Sequence, residues 1–190
     1  LGAVITSPSD APMFRSMNLS VDYYNIKVTD AIGAQTPDSI QEKCFSTQFN
    51  PTLDPNSPYC AGVGRNAGNG VLGNLVGTYL NTGAIQTSCI DAQFNWRFPA
   101  GPGTVSVSSN FNYLLHMKST PLAGAIPMVD YAGTLGGVGE NGLDGGYYRW
   151  KLFSTLGYTI NGIGLDLQWQ HLPSIKSGTA AVNPATTFLC

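Results

Sequence analysis

Residues 89–98 read CIDAQFNWRF, and this stretch decides the fold. Apolar and polar side chains alternate along it without a break, and a period of two predicts a β-strand with one face of each kind. An α-helix with this sequence would spread its apolar side chains over its whole circumference. The apolar positions are Ile90, Ala92, Phe94, Trp96 and Phe98, and the polar positions are Asp91, Gln93, Asn95 and Arg97.

The same alternation predicts two hairpins and further strands. Residues 104–116 alternate again and follow the turn-forming sequence PAGPG at 99–103. The segments before and after Asn161-Gly162 alternate as well, within residues 147–172, and Asn-Gly is typical of two-residue hairpin turns. Residues 18–32 predict another strand, in which a shift of the apolar phase after Tyr23 suggests a bulge. Residues 1–7 are a candidate sixth strand, so we expect an all-β, antiparallel up-and-down meander of five or six strands.

The connections and the polar faces favour a membrane barrel over a soluble one. Short turns lie near 99–103 and 161–162, whereas long glycine-rich loops occupy about 33–73 and 118–146, as in outer-membrane β-barrels. The polar faces carry Ser, Thr, Asn and Gln in place of the lysines and glutamates that protect soluble sheets. We therefore expect residues 1–190 to form one partial barrel domain. The polar side chains expected to face its lumen are Asp91, Gln93, Asn95, Arg97, Asp166 and Gln168.

Other classes of protein fit the sequence less well. A soluble β-barrel or sandwich that acts as a binding module stays an alternative, because an inward apolar face gives the same alternation. A small secreted hydrolase is a weaker alternative, since no G-x-S-x-G motif is present, and no enzyme activity is expected. Nine scattered Lys and Arg residues argue against nucleic-acid binding, and no apolar run is long enough for a membrane helix. Two histidines and the absence of a C-x-x-C spacing predict neither a metal site nor a cofactor.

Cysteines and tyrosines stand out in the loops. Cys44 and Cys60 bracket a Pro- and Asn-rich segment without periodicity, which favours a disulfide over free thiols and implies an oxidising compartment. Cys89 and Cys190 are expected not to pair with each other. Tyr59 and Tyr131 are expected to be exposed in the long loops and to contact a ligand there, because aromatic rings stack on sugars and chelates.

Several sequence segments resemble the barrel of TonB-dependent outer-membrane receptors. They are DYYNIKVTDAI at 22–32, the Cys44 to Cys60 loop, and the phrase from Asn81-x-Gly83 to Ile90-Asp91. The resemblance covers about residues 1–175, and it implies roughly a quarter of a 22-stranded barrel from the C-terminal half, without the plug domain. The family has glycine where this chain has Cys89, so a return to glycine is expected to cost little stability.

The resemblance also implies a function, a location and partners. It implies energy-coupled uptake of a small nutrient through the bacterial outer membrane, with a metal chelate, a cobalamin-like compound or an oligosaccharide as ligand. The implied partners are the membrane lipid, the rest of the barrel, a plug domain and, through that plug, a periplasmic energiser protein.

Overall fold

The computed structural model describes residues 1–34, 37–77, 79–120, 128–136 and 145–182. Antiparallel β-strands dominate these ranges, which confirms the predicted all-β class. Helix α1 spans Pro37–Phe45 and helix α2 spans Thr179–Val182. The strands are β1 (Gly2–Thr6), β2 (Ser16–Ala34), β3 (Val63–Arg65), β4 (Leu72–Leu75), β5 (Tyr79–Ala100), β6 (Gly103–Thr120), β7 (Val129–Asp130), β8 (Trp150–Ile160) and β9 (Ile163–His171).

The main sheet is an up-and-down meander. Its spatial order is β1-β2-β5-β6-β8-β9, with β7 paired to β6, and all of these pairs are antiparallel. The five expected strands are present, and β1 is the sixth. Strands β3 and β4 form a separate hairpin in the chain segment that connects β2 to β5. Within the described ranges no pairing joins β1 to β9, so the sheet is open and these two strands are its edges.

The two predicted short turns are confirmed, and both use the left-handed backbone region. Asn161 and Gly162 have φ of 47° and 81°, the positive values that a two-residue turn of the Asn-Gly kind requires. Between β5 and β6 the strands run to Ala100 and restart at Gly103, and Gly101 has φ of 57°. Glycine suits this position because a side chain there would be strained.

The predicted bulge after Tyr23 is wrong. Pairing of β2 with β5 is continuous from Ser16 to Val28, and the register shifts lie beyond it, between Val28 and Ile32, where Asp30 has φ of 56°. The phase shift after Tyr23 has another meaning: from Tyr24 onward the apolar side chains of β2 lie on the other side of an uninterrupted sheet.

A bulge that the sequence pattern did not predict lies in β6. Ser88 pairs with His116 whereas the next residue, Cys89, pairs with Leu114, so Leu115 is an extra residue. The predicted alternation of 104–116 therefore holds only to Tyr113. His116 shares the face of Tyr113 and not the polar face on which it was expected.

The buried core is small and lies at the loop end of the sheet. Cys89, Leu114 and Ala132 form its centre. Three partly buried side chains pack against them: Tyr24, Met117 and Tyr147. The segments 129–136 and 145–149 approach the sheet here, because Tyr131 N–H donates to the Met117 carbonyl (2.8 Å) and Gly133 N–H to the Tyr147 carbonyl (2.6 Å).

Candidate functional site

One face of the main sheet carries an apolar surface that crosses the six strands β1, β2, β5, β6, β8 and β9. The pairing registers place its members side by side, from Ile5 opposite Leu19 at one edge to Leu156 opposite Leu167 near the other. We call it the apolar belt, and the face that carries it the belt face. Its members are Ala3, Ile5, Met17, Leu19, Val21, Tyr23, Ile90, Ala92, Phe94, Trp96, Phe98, Val105, Val107, Phe111, Tyr113, Trp150, Leu152, Leu156, Tyr158, Ile160, Ile163, Leu165, Leu167 and Trp169.

The belt is uncovered by the described part of the chain. Leu165, Leu167 and Trp169 on the edge strand β9 are 76%, 66% and 56% exposed, and Leu156 on β8 is 50% exposed. Monomeric soluble proteins rarely leave a contiguous apolar surface of this kind open to water. A membrane, a partner or another part of the protein must therefore cover it.

The height of the belt matches a lipid bilayer. On β5 it runs from Ile90 to Phe98, nine residues, and on β6 from Val105 to Tyr113, again nine. Nine residues rising about 3.3 Å each extend about 30 Å along the strand, which at the tilt of about 40° found in outer-membrane barrels corresponds to about 23 Å, close to the apolar band of those barrels. Beyond Ile90 the strands continue toward the loops, but the belt stops.

Aromatic side chains border the belt at both ends. At the turn end Trp96 and Phe98 lie 4.2 Å apart between ring centroids, and the Trp96 indole N–H donates to the Met13 carbonyl at 2.7 Å. At the loop end Tyr23, Tyr113 and Trp150 occupy one row across β2, β6 and β8, with Ile90 of β5 between the first two. Amphipathic rings at two levels are typical of membrane interfaces.

The belt contains a pair of polar groups that satisfy each other. Ser109 and Ser154 are directly opposite in register, and their Oγ atoms are 2.9 Å apart, within hydrogen-bond distance. A hydroxyl facing hydrocarbon without a partner costs several kcal/mol. This pairing makes the two serines compatible with an apolar environment.

The opposite face is polar over the same height. The six side chains predicted to share a lumen face lie together on this polar face. The strand pairing places Arg97 opposite Ser106, Ser106 opposite Gly157, and Gly157 opposite Asp166. The other four side chains lie an even number of residues from Arg97 or Asp166 on the same strands, and therefore on the same face. Gln93, Asn95, Arg97, Asp166 and Gln168 are exposed, and Asp91 is half-buried and accepts a hydrogen bond from Asn112 Nδ2. That this face lines a lumen stays a prediction.

The disulfide loop is a small folded unit. Cys44 and Cys60 form the predicted disulfide, with Cα atoms 4.7 Å apart. Helix α1, which the sequence analysis did not anticipate, carries Cys44 and buries Ile40 beside it, four residues earlier on the same helix face. Its signals were Pro37 at the first turn and this i, i+4 spacing.

A cavity of about 280 Å³ lies next to the disulfide. The Arg65 guanidinium lies 5.6 Å from the Phe45 ring centroid and donates through Nη1 to the Gly70 carbonyl, so a cation borders apolar walls. Tyr59 is 45% exposed and its ring meets Phe49 edge-on, with centroids 6.1 Å apart. The exposure expected for Tyr59 is confirmed. The cavity is lined by Cys44, Phe45, Leu53, Pro55, Asn56, Cys60, Val63 and Arg65.

The exposure expected for Tyr131 is wrong. Its side chain is fully buried, at 0% exposure, because the segment 129–136 folds against the loop end of β6 instead of projecting outward. Tyr131 is therefore a core residue and offers no ring to a ligand. Residues 121–127 and 137–144 of the predicted ligand loop lie outside the described residues.

His116 and Asp130 form a pair at the same end of the sheet. His116 Nδ1 lies 2.7 Å from Asp130 Oδ2, and Asp130 Oδ1 also accepts the backbone N–H groups of Met117 (3.0 Å) and Ala132 (3.1 Å). Partial burial opposes ionisation of Asp130, but the hydrogen bond from His116 and the two backbone N–H groups outweigh it. The pKa of Asp130 is lowered as a result.

No metal-binding cluster is found in the described ranges. No group of three or more His, Cys, Asp or Glu side chains there could hold a metal ion. None of the helices in those ranges is long and apolar enough to cross a membrane. Comparison with family models, with curated proteins and with solved structures gives no match.

Proposed function

We propose that this sheet is a section of the wall of a transmembrane β-barrel in the bacterial outer membrane, and that the protein takes up a small nutrient through it. The observation that carries the proposal is the apolar belt. It is about one bilayer core in height, aromatic side chains lie at both of its ends, and it is backed by a polar face.

The distribution of charge supports this assignment. Over the height of the belt the ionic side chains Asp22, Asp91, Arg97, Lys151 and Asp166 all lie on the polar face, and no Asp, Glu, Lys or Arg lies on the belt face in the described residues. A charge on a lipid-facing strand position costs a few kcal/mol, whereas a charge in a wetted lumen costs little. A soluble barrel would need its belt covered by a second layer.

The resemblance to TonB-dependent receptors supplies the transport part of the proposal. In that reading the belt face contacts lipid, the polar face meets a plug domain and the water of the lumen, and the periplasmic energiser protein acts through the plug. The nutrient is a metal chelate, a cobalamin-like compound or an oligosaccharide. Tyr59 and the Arg65 cavity beside the disulfide are the described loop features that fit ligand contact.

Tryptophan fluorescence tests whether lipid covers the belt. All three tryptophans of the chain, Trp96, Trp150 and Trp169, belong to the belt. The protein is reconstituted into vesicles of phosphatidylcholine whose acyl chains either carry bromine or do not. Bromine quenches tryptophan fluorescence only on contact. We expect strong quenching of all three, measured on single-tryptophan variants, and little quenching by aqueous iodide.

The matched control places a tryptophan on the other face. Gln93→Trp, in a background with the native tryptophans replaced by phenylalanine, lies one residue from Phe94 but on the polar face. It should be quenched by iodide and not by brominated lipid. The absence of a bromine effect on Trp96, Trp150 and Trp169 would refute the proposal, and shielding of the same three tryptophans from iodide would then favour the soluble binding module, in which a second layer covers the belt.

A further inference from the structure

A polar zone with positive charge begins on the belt face where the belt ends. Directly beyond the row of Tyr23, Ile90 and Tyr113, the next row toward the loops contains Asn25, Ser88 and His116. The row after that contains Lys27, Gln86 and Lys118, side by side on β2, β5 and β6. We call these three residues the cationic row.

The bulge in β6 creates this alignment. Without Leu115 as an extra residue, His116 and Lys118 would lie on the opposite face, above the polar residues of β6. With it, Lys118 lies on the same side as Lys27. Arg149 stabilises the bulge, because its guanidinium donates to the carbonyl oxygens of Leu114 (3.2 Å) and Leu115 (2.9 Å).

The geometry of the row suits a phosphate group. Lys27 and Lys118 are two strand spacings apart, about 10 Å, with Gln86 between them. Lys27 is exposed, Lys118 is half-buried, and Gln86 Nε2 donates to Asn25 Oδ1 at 3.3 Å, which orients the amide. Lys27 and Lys118 thus extend from strands on either side of Gln86, and each ammonium group offers three donors to a phosphate between them.

Among the described residues, the acidic side chain that pairs with the row is Asp130. Asp130 on β7 pairs in register with Lys118 and offsets part of its charge. Its two oxygens already accept hydrogen bonds from His116, Met117 and Ala132. Lys27 lies two strands away on β2, so the row keeps a net positive charge even with Asp130 ionised.

The position of the row relative to the belt selects the ligand. Lys27 is four residues beyond Tyr23, which corresponds to about 10 Å above the belt in a tilted strand. The polar layer of a bilayer is about 5–8 Å thick on each side, within reach of a lysine side chain. A phosphate held by the row would therefore carry its acyl chains along the belt below.

We infer that Lys27, Gln86 and Lys118 form a binding site for the anionic phosphate headgroup of a membrane lipid, on the outside of the sheet at its loop end. This inference rests on the proposed function, because it requires lipid against the belt. It adds a specific lipid partner, since the apolar belt alone would accept any acyl chain.

The test measures lipid preference of the intact protein in vesicles. Vesicles of phosphatidylcholine contain a trace of spin-labelled phosphatidic acid or of spin-labelled phosphatidylcholine, and the immobilised fraction of each is recorded. We expect the wild type to prefer phosphatidic acid, whose phosphate carries a net negative charge, over the zwitterionic phosphatidylcholine. Each of Lys27→Gln and Lys118→Gln should lower that preference about fivefold and the double variant about twentyfold, and added salt should weaken the wild-type preference.

Lys151→Gln is the matched control, because it removes the same charge from the polar face of β8. It should leave the preference unchanged. An equal loss in Lys151→Gln, or a wild-type preference that millimolar inorganic phosphate abolishes, would overturn the site as a lipid site. Quenching of the belt tryptophans by brominated lipid, measured in the same vesicles, separates the two proposals. If the tryptophans are quenched but the protein shows no lipid preference, this site alone is refuted. If neither quenching nor a lipid preference is found, the membrane wall is refuted as well.

Discussion

Arg149 donates a hydrogen bond from Nη1 to the carbonyl oxygen of Leu115 at 2.9 Å, and Leu115 is the extra residue of the bulge in β6. The same guanidinium donates to the carbonyls of Leu114 and of Ala132 (2.8 Å). One side chain thereby joins the irregular backbone of β6 to the segment that covers its loop end. All of the described hydrogen bonds of Arg149 are with backbone carbonyls.

Arg149→Met should destabilise the protein by about 2–3 kcal/mol, because hydrogen bonds from a charged group are lost and partly buried carbonyls are left without donors. Lys151→Met, two residues along the chain and exposed, should change the free energy of unfolding by less than about 0.5 kcal/mol. Urea unfolding of both variants in detergent micelles measures the difference. Equal effects would show that the guanidinium contacts contribute nothing.

Thiol labelling should separate three of the cysteines into two classes. Without reductant, Cys44 and Cys60 should stay unlabelled even in denaturant, because they are joined. Cys89, which is free and 4% exposed, should resist labelling in the native state and react fully once the protein is unfolded. Mass spectrometry after alkylation reads out all three. Labelling of Cys60 in unreduced protein would exclude the disulfide.

Cys89→Gly should cost about 1–2 kcal/mol, from the loss of a packed side chain and the flexibility of glycine in a strand. The expectation of a small cost ignored the segment that covers Cys89. Ser88→Ala is the control: Ser88 is buried and its Oγ has no hydrogen-bond partner among the described residues, so its removal should be neutral or stabilising. A destabilising Ser88→Ala would mean that the hydroxyl has a partner.

The features that the sequence predicted well depend on local pattern. Phe94 and Gln93 lie on opposite faces because neighbouring strand residues must, and the Asn161-Gly162 turn follows from the conformations open to those two residues. These effects need no knowledge of distant parts of the chain. The strand order and the shared face of Arg97 and Asp166 follow from them once the strands pair in sequence.

The features that were missed depend on contacts distant in the chain. Nothing around Leu115 marks it as the extra residue, since the bulge is held by Arg149, 34 residues away. Tyr131 looks like a loop aromatic in sequence, and only the folding of its segment against β6 buries it. The shift of the apolar positions after Tyr23 predicts a bulge that is not there, because the sequence pattern of a bulge is the same as that of a strand whose apolar side chains change from one face to the other.

Acid should weaken the contact between β6 and β7. The pKa of Asp130 is lowered in the folded state, so its contribution to stability is present above the ordinary carboxyl pKa of about 4 and is lost as the pH falls through the folded value. Asp130→Asn should therefore be less stable than the wild type at pH 7. The two should converge as the pH falls below the folded-state pKa of Asp130. Unfolding midpoints across this range test the sign, and a gap that stays constant with pH would rule out the carboxylate as its source.

An arginine scan along β5 should show the profile of a bilayer. Phe94 is central in the belt on that strand, Phe98 lies at its turn end, and Gln93 is on the polar face. In vesicles, Phe94→Arg should cost about 2–4 kcal/mol, Phe98→Arg about 0–1 kcal/mol because its charge can reach the interface, and Gln93→Arg little. Equilibrium unfolding from phosphatidylcholine vesicles measures all three. In a soluble core a second layer would bury positions 94 and 98 alike, so arginine would cost a similar amount of stability at both. Large and similar costs at these two positions would therefore contradict the lipid-facing belt.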